Sequence, residues 1–311
     1  MKVLTAQETA ALLPYPALAE ELGAVLADKR ANRATAPPRL HLPLANDGVL
    51  LLMPAADDRL AITKLVSVHP RNAEHGLPSV QAEVLVMEAG TGRRLLLLDG
   101  ATVTARRTAA LSLLAAQTLA PDPAGPLLIV GAGVQGRAHL EAFLEGLAPP
   151  QVYIASRGSA SAADLRDYAR SLGAEAHLVT APEEVLDRVS LIVLATTSQT
   201  PVIPPQVRKD AFIVAVGAYQ PDQAELPPAL VRSAFLVVDT LEGTQAGAGD
   251  LIQAGVDWRH VTPLEEAISR NRPAPTSTTG PVVFKSVGHA LWDLAAARLA
   301  WRRVEGTVET G

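Results

Sequence analysis

Between Pro37 and Asp99 apolar and polar residues alternate in short runs: Arg39–Leu44, Val49–Met53, Ala61–Val68, Val80–Met87 and Arg94–Leu98. A period of two places successive side chains on opposite faces, which predicts extended strands. Asn46-Asp47-Gly48 and Gly90-Thr91-Gly92 separate these runs, so the strands are expected to form antiparallel hairpins. Residues 5–31 ahead of them follow a helical pattern divided by Pro14 and Pro16, and Thr5-x-x-Glu8 has the spacing of a capping box. A helix rich in alanine and leucine is expected from Thr104 to Leu119, and Pro121-Asp122-Pro123-Ala124-Gly125 ends it.

Beyond Pro126 the pattern changes to short apolar runs alternating with helical ones. Strands are expected at Leu127–Val130, Val152–Ala155, Ala176–Val179, Leu191–Ala195, Phe212–Val216 and Phe235–Val238. Helices follow the first two strands, the second of them over Ala162–Leu172, and Thr180-Ala181-Pro182-Glu183 reads as a further capping box before a short helix. Such alternation predicts a parallel, doubly wound sheet of Rossmann type. A last helix, His289 to Val304, reads as amphipathic and is expected to pack back on the first domain. The expected fold class is α/β. Residues 121–280 form a dinucleotide-binding domain, and residues 1–120 with 281–311 form a mixed α+β domain for substrate binding and dimerisation.

Composition narrows the chemistry. The chain has 311 residues, 48% apolar and 19% charged, enough to build a large core without long disordered segments. There are no cysteines, which excludes disulfides, thiolate metal sites and a cysteine nucleophile. A net charge of −5 gives no electrostatic case for nucleic acid. No apolar run approaches the roughly 18 residues of a membrane span. Thr5, Gln7 and Glu8 stand where a signal peptide needs its apolar stretch, so a cytoplasmic protein is expected.

Gly131-Ala-Gly133-Val134-Gln135-Gly136 follows a predicted strand and opens a predicted helix. In that setting the first glycine permits a tight turn, the second admits a pyrophosphate, and the third lets helix and strand pack closely. The helix N-terminus offers N–H groups and the positive end of its dipole to the phosphates. NAD sites of this type keep an acid at the end of the second strand, but here Ser156 and Arg157 follow Val152–Ala155. An arginine there suits the 2′-phosphate of NADPH; the plainer reading is an exposed loop arginine. Thr196 and Thr197 follow the strand Leu191–Ala195, at the carboxyl end of the sheet where a nicotinamide would enter.

In the first domain, alternation puts Arg39 and His41 on one face and Leu40 and Leu42 on the other. Lys64 interrupts the apolar run Leu60-Ala-Ile-Thr-Lys-Leu-Val, so its ammonium is expected to be partly buried. Arg106 and Arg107 point about 100° apart on a helix, so only one is expected to face a cleft easily. Taken singly, each of these charges reads as a surface residue. The histidines show no metal-ligand spacing, His289 reads as a cap, and neither GxSxG nor HExxH occurs. No metal is expected.

Together the motifs resemble the ornithine cyclodeaminase/mu-crystallin family. The likeness runs in order through Pro37-Pro-Arg39, Lys64-Leu-Val-Ser-Val-His-Pro-Arg-Asn72, Thr104-Ala-Arg-Arg107, Gly131-Ala-Gly-Val-Gln135, Val216-Gly-Ala218, Val238-Asp239 and Phe284-Lys-Ser-Val-Gly288. Gly249-Asp-Leu-Ile-Gln-Ala-Gly-Val-Asp-Trp258 and Lys285-Ser-Val-Gly-His-Ala-Leu-Trp-Asp-Leu294 resemble its bacterial Δ1-pyrroline-2-carboxylate and Δ1-piperideine-2-carboxylate reductases. The resemblance implies a homodimer that reduces cyclic imine acids with NADPH, NADH also serving, in a cleft between the domains. It implies Arg39 and Arg107 as the substrate-carboxylate arginines and Lys64 as the active-site lysine. For the cofactor it implies Arg157 at the NADPH phosphate, with Val216, Lys285 and Ser286 added to the glycine loop. Two departures stand out. Tyr219 replaces the aspartate of the cyclodeaminases, and Gly247 stands where many relatives carry a glutamate. The alternatives within the family are an alanine dehydrogenase-like enzyme, a cyclodeaminase and a non-catalytic NADPH-dependent binding protein.

Overall fold

The computed structural model describes residues 1–269 and 280–308. Residues 270–279 and 309–311, assigned above to the second and first domains, lie outside the described residues. The chain divides into two compact units, Met1–Leu111 with His289–Gly311, and Ser112–Gly288. Among the described residues no helix is long and apolar enough to cross a membrane.

The first unit opens with β1 (Lys2–Val3), α1 (Ala6–Ala11) and α2 (Tyr15–Arg30). Thr5 and Glu8 form the capping box read from the sequence, each side chain accepting from the other residue's N–H. Then come β2 (Leu40–Pro43), β3 (Val49–Ala56), β4 (Leu60–Val68), β5 (Val80–Glu88) and β6 (Arg94–Asp99). Their sheet runs β1-β6-β5-β4-β3-β2, antiparallel except for β1, which pairs parallel to β6. Sequence gave no sign of β1, since two residues carry no period. In β4 the alternation is strict: Leu60, Ile62, Lys64 and Val66 are buried, while Leu65 is exposed. The next helix, α3 (Gly100–Leu119), starts four residues before the expected Thr104. Asp99 Oδ1 accepts the Thr102 N–H at 2.7 Å and so holds the earlier start.

The second unit alternates as expected: β7 (Leu127–Val130), α4 (Val134–Gly146), β8 (Val152–Ala155), α5 (Ser159–Ser171), β9 (Ala176–Leu178), β10 (Leu191–Leu194) and β11 (Phe212–Ala215). After these come α6 (Pro228–Ser233), β12 (Phe235–Val238), α7 (Leu241–Gly247), α8 (Gly249–Ala254), β13 (Thr262–Pro263), α9 (Leu264–Ala267) and β14 (Val282–Lys285). All eight strands are parallel, in the order β13-β12-β14-β11-β10-β7-β8-β9. Every residue of β7, β8, β10, β11 and β14 is buried, as a sheet covered on both faces requires. Two strands were missed. β13 is too short to show a period, and β14 reads as one more four-residue apolar run although it lies between β11 and β12. The capping box at Thr180 is also displaced: Glu184, not Glu183, accepts the N–H groups of Thr180 and Ala181, and only a single tight turn follows.

The chain closes with α10 (Ala290–Val308), which packs against α2, β3 and β4 of the first unit. It is not simply amphipathic. Residues 290–297 are buried on every side, and polar exposure begins only near its C-terminal end. His289 caps it, Nδ1 accepting the Leu291 N–H at 3.3 Å.

Candidate functional site

In the first unit the sheet register builds one row of side chains. Met53 pairs with Lys64, Lys64 with Val84, and Val84 with Leu98. Arg39 immediately precedes β2, whose first residue pairs with Leu52, and its charge acts on Lys64. Lys64 therefore occupies a core-facing position of β4, where its neighbours two residues away are leucine-like. Its ammonium is 2.8 Å from Asp293 Oδ2 and 3.0 Å from Oδ1, with Thr104 Oγ1 at 3.4 Å. Asp293 lies in the fully buried part of α10 and also faces Arg107 Nε, 3.3 Å from Oδ1. Three groups from β4, α3 and α10 thus meet where little solvent reaches them.

This surrounding lowers the lysine pKa from its ordinary value to about 8. Burial is the first cause, the positive charges of Arg107 and Arg39 add to it, and Asp293 opposes them. The lysine is more buried than the sequence suggested. The two helix arginines divide as expected: Arg107 points to Asp293, while Arg106 donates to Leu13 O at 2.7 Å and lies over the Tyr15 ring. Asp293 was not singled out from sequence. Its signal was a carboxylate in the apolar run Ala290-Leu-Trp-Asp-Leu-Ala-Ala-Ala, since a buried charge needs a partner.

In the second unit the loop after β7 lies where the chain turns from β8 on one side of that strand to β10 on the other, the switch point of a doubly wound sheet. Gly131 has φ +110°, and a Cβ there would come within 2.4 Å of Ala195 O. A Cβ on Gly136 would meet Gly131 O at 1.9 Å, whereas one on Gly133 would meet nothing within 4 Å. The first and third glycines are therefore required by packing, and the second opens onto free space. Gly133 is the N-cap of α4 and brings no side chain to its N–H groups; Val134 beside it is 73% exposed. A cleft of about 440 Å³ begins here, within the range of small-molecule sites. Gly131, Gly133, Ser156, Arg157, Thr196 and Thr197 all line it. These features fit a dinucleotide: N–H groups for a pyrophosphate, and an exposed arginine at the end of β8 for a further phosphate.

The chain belongs to the ornithine cyclodeaminase/mu-crystallin family. The family's sequence profile matches residues 1–307. Delta(1)-pyrroline-2-carboxylate reductase 1 of Burkholderia multivorans is 40% identical over 305 residues, covering 96% of this chain and 94% of that protein. The Delta(1)-pyrroline-2-carboxylate/Delta(1)-piperideine-2-carboxylate reductase of Azospirillum brasilense is 39% identical, again over 96% of this chain and 94% of the relative. The structure of Thermococcus litoralis Delta(1)-pyrroline-2-carboxylate reductase in complex with NADH and L-proline superposes with a TM-score of 0.91 at 28% identity, covering 99% of this chain and 98% of that one.

The remaining residues that the family resemblance pointed to are placed less directly. Val216 follows β11, half-buried, and its N–H donates to Leu194 O. Gln135, at the first turn of α4, has a buried Oε1 with no hydrogen-bond donor among the described residues. The Lys285 ammonium is fully buried, 2.6 Å from Asp250 Oδ2. Ser286 Oγ donates to Asp239 Oδ2 at 2.7 Å. Both side chains are committed to internal partners and neither lines the cleft. The two departures from family pattern prove to be neighbours, because a Cβ on Gly247 would come 2.7 Å from Tyr219 O. A side chain at 247 would have to move the Tyr219 loop.

Proposed function

We propose that this protein reduces cyclic imine acids, taking Δ1-pyrroline-2-carboxylate to L-proline and Δ1-piperideine-2-carboxylate to L-pipecolate. The observation that carries the reading is the buried cluster of Lys64, Arg107 and Asp293, with Arg39 close enough to act on the lysine. A carboxylate beside a C=N bond needs a positive clamp, and Arg39 and Arg107 supply one. When bound, a reduced nicotinamide cofactor supplies the hydride. As C2 accepts it, the C=N pair moves to nitrogen, and Lys64 Nζ gives that nitrogen its proton. Lys64 is left as the neutral amine and regains a proton from solvent. A lysine with its pKa near the working pH suits such an acid. Both ring sizes are expected to turn over, since one methylene in an apolar pocket is worth only about 1–3 kcal/mol.

The second unit is proposed to hold the dinucleotide through Gly131, Gly133, Val134, Gln135 and Gly136, with Ser156 and Arg157 at the 2′-phosphate and Thr196, Thr197 and Val216 toward the nicotinamide. NADPH is then preferred and NADH serves. Replacing Arg157 by Asp should lower the NADPH/NADH affinity ratio by about tenfold or more, the equivalent of about 1.4 kcal/mol. Titration of both cofactors into both proteins reads this, and an unchanged ratio would clear Arg157 of the role. A homodimer through the first unit is also proposed. Leu40, Leu42 and Leu65 are all exposed on the outer face of its sheet, an apolar row that a second copy would cover.

The activity itself is tested by following NADPH and NADH oxidation with the five- and six-membered imine acids, and with pyruvate plus ammonia as the competing substrate pair. Turnover confined to pyruvate and ammonia would replace the ketimine reading with an amino-acid dehydrogenase.

A further inference from the structure

The family resemblance gives Asp293 no role, yet among the described residues it is the acid that faces both Lys64 and Arg107. It projects from the segment of α10 that is buried on all sides, so its position is fixed by helix packing. Both oxygens face Lys64, and Oδ1 is shared with Arg107 Nε. Placing a carboxylate in such a site is costly unless it is paired, and its partners are the groups proposed to act on substrate. It approaches the Nε edge of Arg107, whereas a guanidinium can also receive a substrate carboxylate along its terminal Nη pair.

From this geometry we infer that Asp293 is a positioning residue for the reduction, one carboxylate fixing both the ammonium that gives the proton and a guanidinium that holds the substrate. The inference rests on the reading of Lys64 as the proton donor. It adds a specific electrostatic function. The groups facing Lys64 are Asp293 from α10, Arg107 and Thr104 from α3, and Arg39 ahead of β2. Two of the three charged groups are cations, so the lysine keeps its proton at neutral pH because Asp293 opposes them. Without that charge, burial and the arginines act unopposed and the amine loses its proton at a lower pH.

The test compares wild type, Asp293→Asn and Asp293→Glu in steady-state reduction of Δ1-pyrroline-2-carboxylate from pH 6 to 10, with NADPH titration as a check on folding. The substrate's own titration is common to all three, so only differences between the profiles count. For Asp293→Asn, the alkaline limb of kcat/KM should move down by about one pH unit or more, the usual scale for losing an adjacent opposite charge. Efficiency at pH 8 should then fall about tenfold or more and recover in part toward pH 6. Asp293→Glu keeps the charge and should keep the limb within about half a unit while losing efficiency through displacement of the carboxylate. A limb unmoved in Asp293→Asn overturns the inference, as does one in Asp293→Glu displaced by a unit or more if the Asn variant does not fold. Failure of wild type to oxidise NADPH with any imine acid would instead overturn the functional reading.

Discussion

The two units each bury a lysine–aspartate pair, and the pairs do different things. Lys64–Asp293 and Lys285–Asp250 are similar in distance, at 2.8 and 2.6 Å, and all four side chains are at most 3% exposed. What separates them is the company they keep. Asp293 receives side-chain cations, and its lysine stands in the field of two arginines. Asp250 receives backbone: Oδ1 accepts the N–H groups of Glu225 at 2.5 Å and Leu226 at 2.8 Å. Glu225 in turn accepts from the N–H groups of Thr196, Gly217 and Ala218, joining the loops after β10 and β11. On the proposed reading the first pair holds a titratable proton beside a substrate clamp, whereas the second joins loops at the carboxyl end of the sheet. Burial and pairing alone do not distinguish chemistry from scaffold; the neighbouring donors do.

The sharpest break in this comparison comes from Lys64→Met. Removing the proton donor should reduce kcat/KM by about 10²–10⁴-fold with NADPH affinity nearly unchanged, as general acid catalysis is worth that much. Steady-state kinetics with a cofactor titration reads both. Next in size is Asp250→Ala, which should cost about 3–5 kcal/mol of stability by leaving Lys285 buried and unpaired. Urea unfolding measures it, and a change under about 1 kcal/mol would remove the scaffold role.

Arg39→Ala and Arg107→Ala should each reduce efficiency on the imine acid about ten- to a hundredfold, the loss of a charge-assisted contact. Kinetics within threefold of wild type for both would take the clamp out of the account. The smallest expected signal is none. Glu225 anchors the loop of Gly217 and Ala218 that leads to Tyr219, where the cyclodeaminases carry their aspartate. A tyrosine brings no carboxylate to shuttle the proton that the cyclodeaminase reaction must move. Incubation with L-ornithine and catalytic NAD should therefore yield no proline, and sustained proline formation would restore the cyclodeaminase reading.

Much of this was legible in the chain. Alternation located β3, β4 and β5, where buried residues recur at every second position, whereas β2 is exposed along its length and β6 buries both faces. The glycines at 131 and 136 stand where packing leaves no room for a Cβ. Lys64 stood out because it interrupts a run that alternation sends inward. Lys285 looked similar at the end of an apolar run, but the sequence could not show that β14 lies in mid-sheet with Asp250 beside its last residue. Asp293 escaped because its partners are 186 and 229 positions away, and no local pattern records such a meeting. Local periods reveal strands and turns; long-range charge pairing has no local period.

The most direct test of the whole account is one assay, the oxidation of NADPH by wild type and Lys64→Met with Δ1-pyrroline-2-carboxylate, proline being counted in parallel. The account predicts one L-proline for each NADPH oxidised by wild type, and turnover reduced at least about a hundredfold in the variant. No proline from wild type, or equal turnover by both proteins, would contradict it.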